Sequence, residues 1–182
     1  RKLFFDLADG PGYDPIVAFG KNSAIAHHVA GQSKLKKDDV ILIDAGANYR
    51  GYKSDMTRCF FIGKGIPKIL ALYKILQSVQ QKAIELVRPG LSVKNFDEQV
   101  RAMLGEHQAL FTHALGHGIG LEIHEDPPIT ARSNAVIEEH MVHSVEPGLY
   151  ITGIGGVRIE DTVIVTKTGC EVTTKTTKNP TI

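Results

Sequence analysis

The sequence has little cysteine: Cys59 and Cys170 are the two in 182 residues, and no CxxC spacing joins them. They could form one bridge at most, so neither a disulfide framework nor a thiolate metal site organises the chain. A reducing compartment, the cytoplasm, is expected. No apolar run approaches the roughly 18 residues that a spanning helix requires, so no membrane partner is expected. No charge predominates either, since 21 Lys and Arg stand against 20 Asp and Glu for a net +1. A global electrostatic reason to bind nucleic acid is therefore missing, and the short, interrupted cluster Lys34, Lys36, Lys37 reads as a solvated turn. The chain also lacks an initiating methionine and any leader-like segment; it opens on Arg1 and is expected to continue upstream. What remains, 42% hydrophobic and 23% charged, is the composition of one globular domain, residues 1–182, with a sizeable core.

From Asp14 to Gly63 the text is strand-like, in "IVAFG", "DVILIDAG" and "YKSDMTRCFFIG". The period then changes. Ile69, Leu72, Tyr73, Leu76, Val79, Ala83, Ile84 and Val87 keep the rhythm of one helix face, started near Pro67 and ended by Pro89 and Gly90. Ser92 is a suitable N-cap for a second helix carrying Val93, Phe96, Val100, Met103 and Leu104, with Gly105 near its end. After Thr112 the β signals return in "HALGHGIGLEIHE", "HMVHSVEPGLYI" and "GVRIEDTVIVT", with a turn near Ser133 and Asn134. One helix pair between two β regions predicts an α+β fold with a curved antiparallel sheet rather than a doubly wound one.

The two β regions echo each other. "DVILIDAGANYRGYKSDMTRCFFIG" and "HMVHSVEPGLYITGIGGVRIEDTVIVT" both run as an apolar strand, a carboxylate, a glycine-containing turn and a second strand with another carboxylate. Asp44 and Asp55 are 11 residues apart, Glu146 and Glu160 14 apart, so the connections differ in length. Period-2 alternation puts Leu42 with Asp44, Asp55 with Thr57, and Arg158 with Glu160 and Thr162. These acids interrupt apolar strands instead of decorating a polar face. Buried neighbouring carboxylates are costly and raise one another's pKa. The nearby cations, Arg58 and Arg158, are too few for four acids, whereas two divalent ions would balance them.

"LGHGIGLEIHEDP" offers His117 and His124 to such a site, and either alone reads equally as a hydrogen-bonded structural histidine. The four acids favour ligation. Oxygen-rich ligation with one nitrogen suits Mn, Co, Fe or Zn. Gly116, Gly118 and Gly120 are expected to let the backbone approach the metal site and the substrate.

Taken together, "IDAGANYRGYKSDMTRCF", "HALGHGIGLEIHEDP", "SVEPGLYI" and "GVRIEDTVIVT" resemble the motifs of the metal-dependent pita-bread peptidases, in family order and over nearly the whole chain. That resemblance implies a dinuclear metal site. By the resemblance Asp44 would chelate one ion, Asp55 and Glu160 would bridge both, and His117 and Glu146 would complete the other. It further implies a metal-bridging hydroxide as nucleophile, Glu146 as proton acceptor, and His27 and His124 as hydrogen-bond donors to substrate, with His28 competing for the first role. "GLEIHEDP" and "GGVRIEDT" are more similar to the Xaa-Pro branch than to methionine aminopeptidases, so the implied substrate is a peptide with proline at the second position. Arg158 is expected to pair with site carboxylates and take part in catalysis, and His113 to line the proline pocket. Two divalent ions, Mn or Co ahead of Zn or Fe, are the implied cofactors, and a homodimer is an open expectation.

The departure is at the front. The second β unit follows a helix pair, but only Arg1 to Tyr13 precede the first, so the resemblance implies a truncated metallopeptidase catalytic domain with its N-terminal helix pair missing. Methionine aminopeptidase is the enzymatic alternative. A non-catalytic binding module and a metal-free creatinase-like hydrolase are the others, and both usually lose ligands that this chain retains.

Overall fold

The computed structural model describes residues 2–181. A six-residue helix α1 (Lys2–Leu7) precedes β1 (Gly10–Pro11) and β2 (Ile16–Phe19). The first repeat unit follows as β3 (Val40–Asp44), β4 (Ala47–Tyr49), β5 (Tyr52–Lys53) and β6 (Thr57–Phe61). Helices α2 (Pro67–Leu86) and α3 (Val93–Met103) lead to β7 (Gly116–Gly118) and β8 (Glu125–Ile129). The second unit is β9 (Val142–Val145), β10 (Gly148–Ile151), β11 (Gly155–Arg158) and β12 (Asp161–Val165), and β13 (Cys170–Val172) closes the strands.

Both units have one plan, a short hairpin standing on the tip of a longer one. β3 pairs antiparallel with β6, bringing Asp44 opposite Thr57, and β4 pairs with β5 beyond it. β9 pairs with β12, bringing Val145 opposite Asp161, and β10 pairs with β11 beyond that. The sequence echo is thus a structural one. It is not a single uninterrupted sheet, and "GVRIEDTVIVT" is not one strand: the ladders break beside the acids. Pro147 has no N–H for pairing but accepts from the Ile159 N–H at 3.3 Å, while the Glu160 N–H goes to Thr57 of the other unit at 3.2 Å. That last bond stitches the units together at the acid-bearing break.

Alternation in β3 points Val40, Leu42 and Asp44 inward. Leu42 joins Cys59, Phe61 and the inner face of α2 in the core, whereas Asp44 closes the strand at its polar end. Pro67 opens α2, where its missing N–H does no harm, and Ser92 caps α3 by accepting from the Asn95 N–H at 3.4 Å. Ile69, Leu72, Tyr73, Leu76, Val79, Ala83 and Ile84 are all buried, each worth about 1.5–3 kcal/mol where the side chain is large. This apolar layer fixes the strands from behind and leaves their acid-bearing ends for the site. Before β2 the described residues hold α1 and no helix pair. Beyond β13 the chain returns along β6 and α2: the Phe61 N–H donates to Pro180 at 2.7 Å, and Tyr73 and Gln77 donate to the Lys178 carbonyl at 2.8 and 3.0 Å. No helix among the described residues is long and apolar enough to cross a membrane.

Candidate metal centre

The breaks in the two units face each other, and the acids meet there. Asp44, Asp55, His117, His124, Glu146 and Arg158 line one cavity of about 570 Å³, together with His27 and His113. Glu160 lies beneath it, 1% exposed, held by the Thr57 hydroxyl at 2.7 Å from Oε2. Asp55, His117 and Glu160 each offer a ligand atom within 4.8 Å of the others.

His117 is aimed by its own strand. Its Nδ1 lies 3.0 Å from the Gly118 carbonyl, which leaves Nε2 facing Asp55 Oδ2 at 3.5 Å and Glu146 Oε1 at 3.3 Å. A backbone carbonyl on one ring nitrogen sets the tautomer that presents a lone pair at the other. The Ser144 hydroxyl accepts from the His117 N–H at 3.0 Å and donates to Glu146 Oε1 at 3.1 Å, so one side chain fixes both residues. Gly116 lines the cavity, and the glycines of β7 also serve strand packing. A Cβ on Gly116 would stand 2.1 Å from the Ser144 carbonyl, and one on Gly118 would stand 2.5 Å from that of Asp126. Only glycine lets β7 fit between β9 and β8.

Arg158 is 2% exposed and sits among the acids. Its Nη2 donates to Asp44 Oδ2 at 2.5 Å, Nε to Thr57 Oγ1 at 3.0 Å, and Nη1 to Tyr150 OH at 2.9 Å and the Ala26 carbonyl at 3.3 Å. Arg58, counted with it from the sequence, is not part of this group: strand alternation turns it to the opposite face, where its Nη2 meets Asp161 Oδ1 at 2.7 Å. Tyr13 went unnoticed in the sequence. Its hydroxyl bonds both Asp44 and Asp55, and it has a single proton to offer two carboxylates.

Burial, then the charge of Asp44, pushes Asp55 up to about 7. Burial, then Glu146, Asp55 and Asp44, drives Glu160 well above the carboxylate range. Burial alone would lower His117, but its hydrogen bond to Glu146 and that residue's charge outweigh it and hold the imidazole above its ordinary value. Burial likewise works against ionisation of Glu146, and the bond from His117 with the charges of His113, His117 and Arg158 overcomes it, holding Glu146 low. A bound cation would displace the protons that burial and repulsion keep on Asp55 and Glu160.

Glu160 Oε1 provides the test of fit. It is buried and has no hydrogen-bond partner among the described residues, a state that is costly for a carboxylate oxygen unless a cation takes the second lone pairs. Hard oxygen donors with one imidazole are the ligand set of Mn, Co, Fe or Zn. The residues present fit divalent metal.

His124 stacks edge-on against His117 with ring centroids 4.3 Å apart, and burial, then His117, lowers its pKa, leaving a neutral ring at the cavity wall. His27 lines the cavity, while His28 is not among its lining residues. His113 is half-buried, with Nδ1 2.8 Å from the Ala114 carbonyl and Nε2 2.9 Å from Tyr150 OH; burial lowers its pKa. It thereby connects through Tyr150 to Arg158 and Asp44.

Fold and site together define a pita-bread protein of α+β type with a carboxylate and imidazole cluster where its two repeats meet. Residues 2–167 match metallopeptidase family M24, and the chain belongs to that family. It is 42% identical over 171 residues to the Xaa-Pro dipeptidase of Pyrococcus horikoshii, covering 93% of this chain and 49% of that protein. The solved prolidase from Pyrococcus horikoshii superimposes with a TM-score of 0.94 at 40% identity, over 97% of this chain and 51% of that one. The X-Pro aminopeptidase from Thermotoga maritima does so with a TM-score of 0.92 at 36% identity, over 96% and 51%. The chain spans about half the length of these relatives.

Proposed function

We propose that the chain carries the catalytic centre of a peptidase that hydrolyses the bond preceding proline, as a Xaa-Pro dipeptidase or aminopeptidase, and works with two divalent ions, Mn or Co ahead of Zn or Fe. The observation that carries the metal in this reading is Glu160, whose Oε1 is buried without a hydrogen-bond partner among the described residues and whose carboxylate offers a ligand atom within 4.8 Å of those of Asp55 and His117. Asp44, Asp55, His117, Glu146 and Glu160 would hold the ions. Bound there, the ions supply Lewis-acid polarisation of the scissile carbonyl and acidify water.

The chain's own groups do the rest. Glu146, at the cavity wall beside His117, accepts the proton of the attacking water at a carboxylate oxygen and returns it to the leaving nitrogen of proline. His124 and His27 donate hydrogen bonds to the carbonyl oxygen as charge develops on it. Arg158 holds Asp44 in place through its 2.5 Å contact. The apolar wall of Ile16, Ala26, Ile123 and Pro128, with His113 beside it, is a surface for the pyrrolidine ring. Two free cysteines suit the reducing cytoplasm as its setting.

The test is turnover of Xaa-Pro and Met-Xaa peptides after metal removal and after adding back Mn²⁺ or Co²⁺. Metal-dependent cleavage of Xaa-Pro alone is the expected result. Preference for Met-Xaa would move the chain to the methionine aminopeptidases, and absence of metal uptake would overturn the mechanism.

A further inference from the structure

Adjacent residues Glu160 and Asp161 leave the strand break on opposite faces, as neighbours in extended chain must. Glu160 enters the site already described. Asp161 is 0% exposed and enters a second cluster on the far side that the proposed chemistry does not use. There Lys178 Nζ approaches Asp161 Oδ2 at 2.5 Å, Gln80 Nε2 the same oxygen at 2.9 Å, and Arg58 Nη2 and Thr174 Oγ1 reach Oδ1, each at 2.7 Å. Four donors saturate the carboxylate. The cluster also grips the Glu160 residue itself, because Arg58 Nη1 donates to the Glu160 carbonyl at 2.5 Å. Lys178 and Thr174 belong to the segment after β13, beyond the family match at residues 2–167. That segment is tied down by further bonds: Arg58 donates from Nη2 to Thr176 O at 3.0 Å, Tyr73 to Lys178 O at 2.8 Å, and Lys178 Nζ to Gln80 Oε1 at 2.8 Å.

We propose that the C-terminal segment is a clasp that positions the Glu160 ligand from behind, with Lys178 and Thr174 fixing Asp161 and Arg58 fixing the Glu160 peptide group. The inference rests on the reading of Glu160 as a metal ligand. Its physical basis is geometric: rotation of the chain at the strand break swings both carboxylates together, so a saturated Asp161 immobilises its neighbour. Lys178 is a positioning residue, since it touches neither metal nor substrate.

The experiment compares the full chain with Lys178→Met, Lys178→Arg and Thr174→Val, by calorimetric titration of the metal-free proteins with Mn²⁺ and by thermal melting before metal is added. Outer groups that orient ligands typically govern about 10–100-fold in metal affinity, so Lys178→Met should weaken Mn²⁺ binding within that range. Lys178→Arg should restore most of it, and Thr174→Val, which removes one neutral donor and perturbs the fold least, should show a smaller loss. Wild-type Mn²⁺ affinity in Lys178→Met and Thr174→Val, even with a lowered melting temperature, would overturn the clasp while leaving the metal site standing. No Mn²⁺ uptake by the unmodified chain would overturn the metal reading and the clasp with it.

Discussion

Replacing Arg158 by methionine removes the guanidinium that stands among the four acids and leaves Asp44, 8% exposed, without its 2.5 Å partner. Methionine fills much of the same space, so the perturbation is mainly electrostatic. Thr57 Oγ1 and Tyr150 OH lose donors at the same time. Breaking a buried ion pair from one side costs about 3–5 kcal/mol, because the surviving charge stays desolvated. For a chain of this length each kcal/mol moves the melting temperature by roughly 2–4 °C, so the metal-free variant should melt roughly 6–20 °C lower. In the metal-loaded protein the ions compensate Asp44, and the decrease should be smaller. Arg158→Lys keeps the charge but not the planar fork that reaches several acceptors, and should fall between the two. Differential scanning calorimetry with chelator and with excess Mn²⁺ reads all of this. A metal-free Arg158→Met that melts within about 2 °C of wild type would mean that this pair contributes nothing like a buried one.

Asp55→Ala should abolish metal-dependent turnover while the circular dichroism stays native, since it removes a proposed ligand from a preformed fold; undiminished turnover refutes the assignment. Asp55, Glu160 and His117 should each cost the metal-free chain stability as pH rises from about 5 to 8. Asp55, pushed up to about 7, and Glu160, also raised, bind protons in the folded state that the unfolded chain has released, and raised His117 loses its stabilising proton over the same rise. The lowered His113, His124 and His143 work in the opposite direction, so the measurement is the difference between melting curves of the chain and of Asp55→Asn in chelator; a difference that does not change with pH contradicts the reading of Asp55. Gly116→Ala should destabilise by about 1–3 kcal/mol or more, because its Cβ would lie 2.1 Å from the Ser144 carbonyl and one side must move. Denaturant unfolding of that variant at wild-type stability would show that β7 is not held against β9 as described.

The parts of the site that were legible in the sequence are those whose chemistry violates a local pattern. Asp44, Asp55, Glu146 and Glu160 interrupt apolar strands, and the interruption repeats, so the acids stood out without any long-range information. Helices α2 and α3 were legible from Pro67, Ser92 and an unbroken apolar face, and the structure keeps them at Pro67–Leu86 and Val93–Met103. Tyr13 was not legible: its partners lie 31 and 42 residues downstream, and a lone tyrosine in a glycine and proline turn has no period to violate. The sheet breaks were hidden for a similar reason, because the Glu160 N–H leaves its own unit for Thr57 and only tertiary pairing reveals it. Arg58 was a different case. Thr57 faces the site and Arg58 follows it, so alternation already placed the arginine on the far side.

That placement bears on the charge balance of the site. Four carboxylates bring a formal −4, and with Arg58 committed to Asp161, Arg158 is the one fixed cation among them in the described residues. The protein thus leaves about −3, and two divalent ions with a hydroxide, as the resemblance implies, would bring about +3. In a cavity walled partly by Ile16, Ile123 and Pro128, an unbalanced charge would be poorly screened. Arg158 would then do more than hold Asp44 in place. Its single charge would let four carboxylates, two ions and a hydroxide balance, which a lysine in solvent or an arginine on the far face could not do.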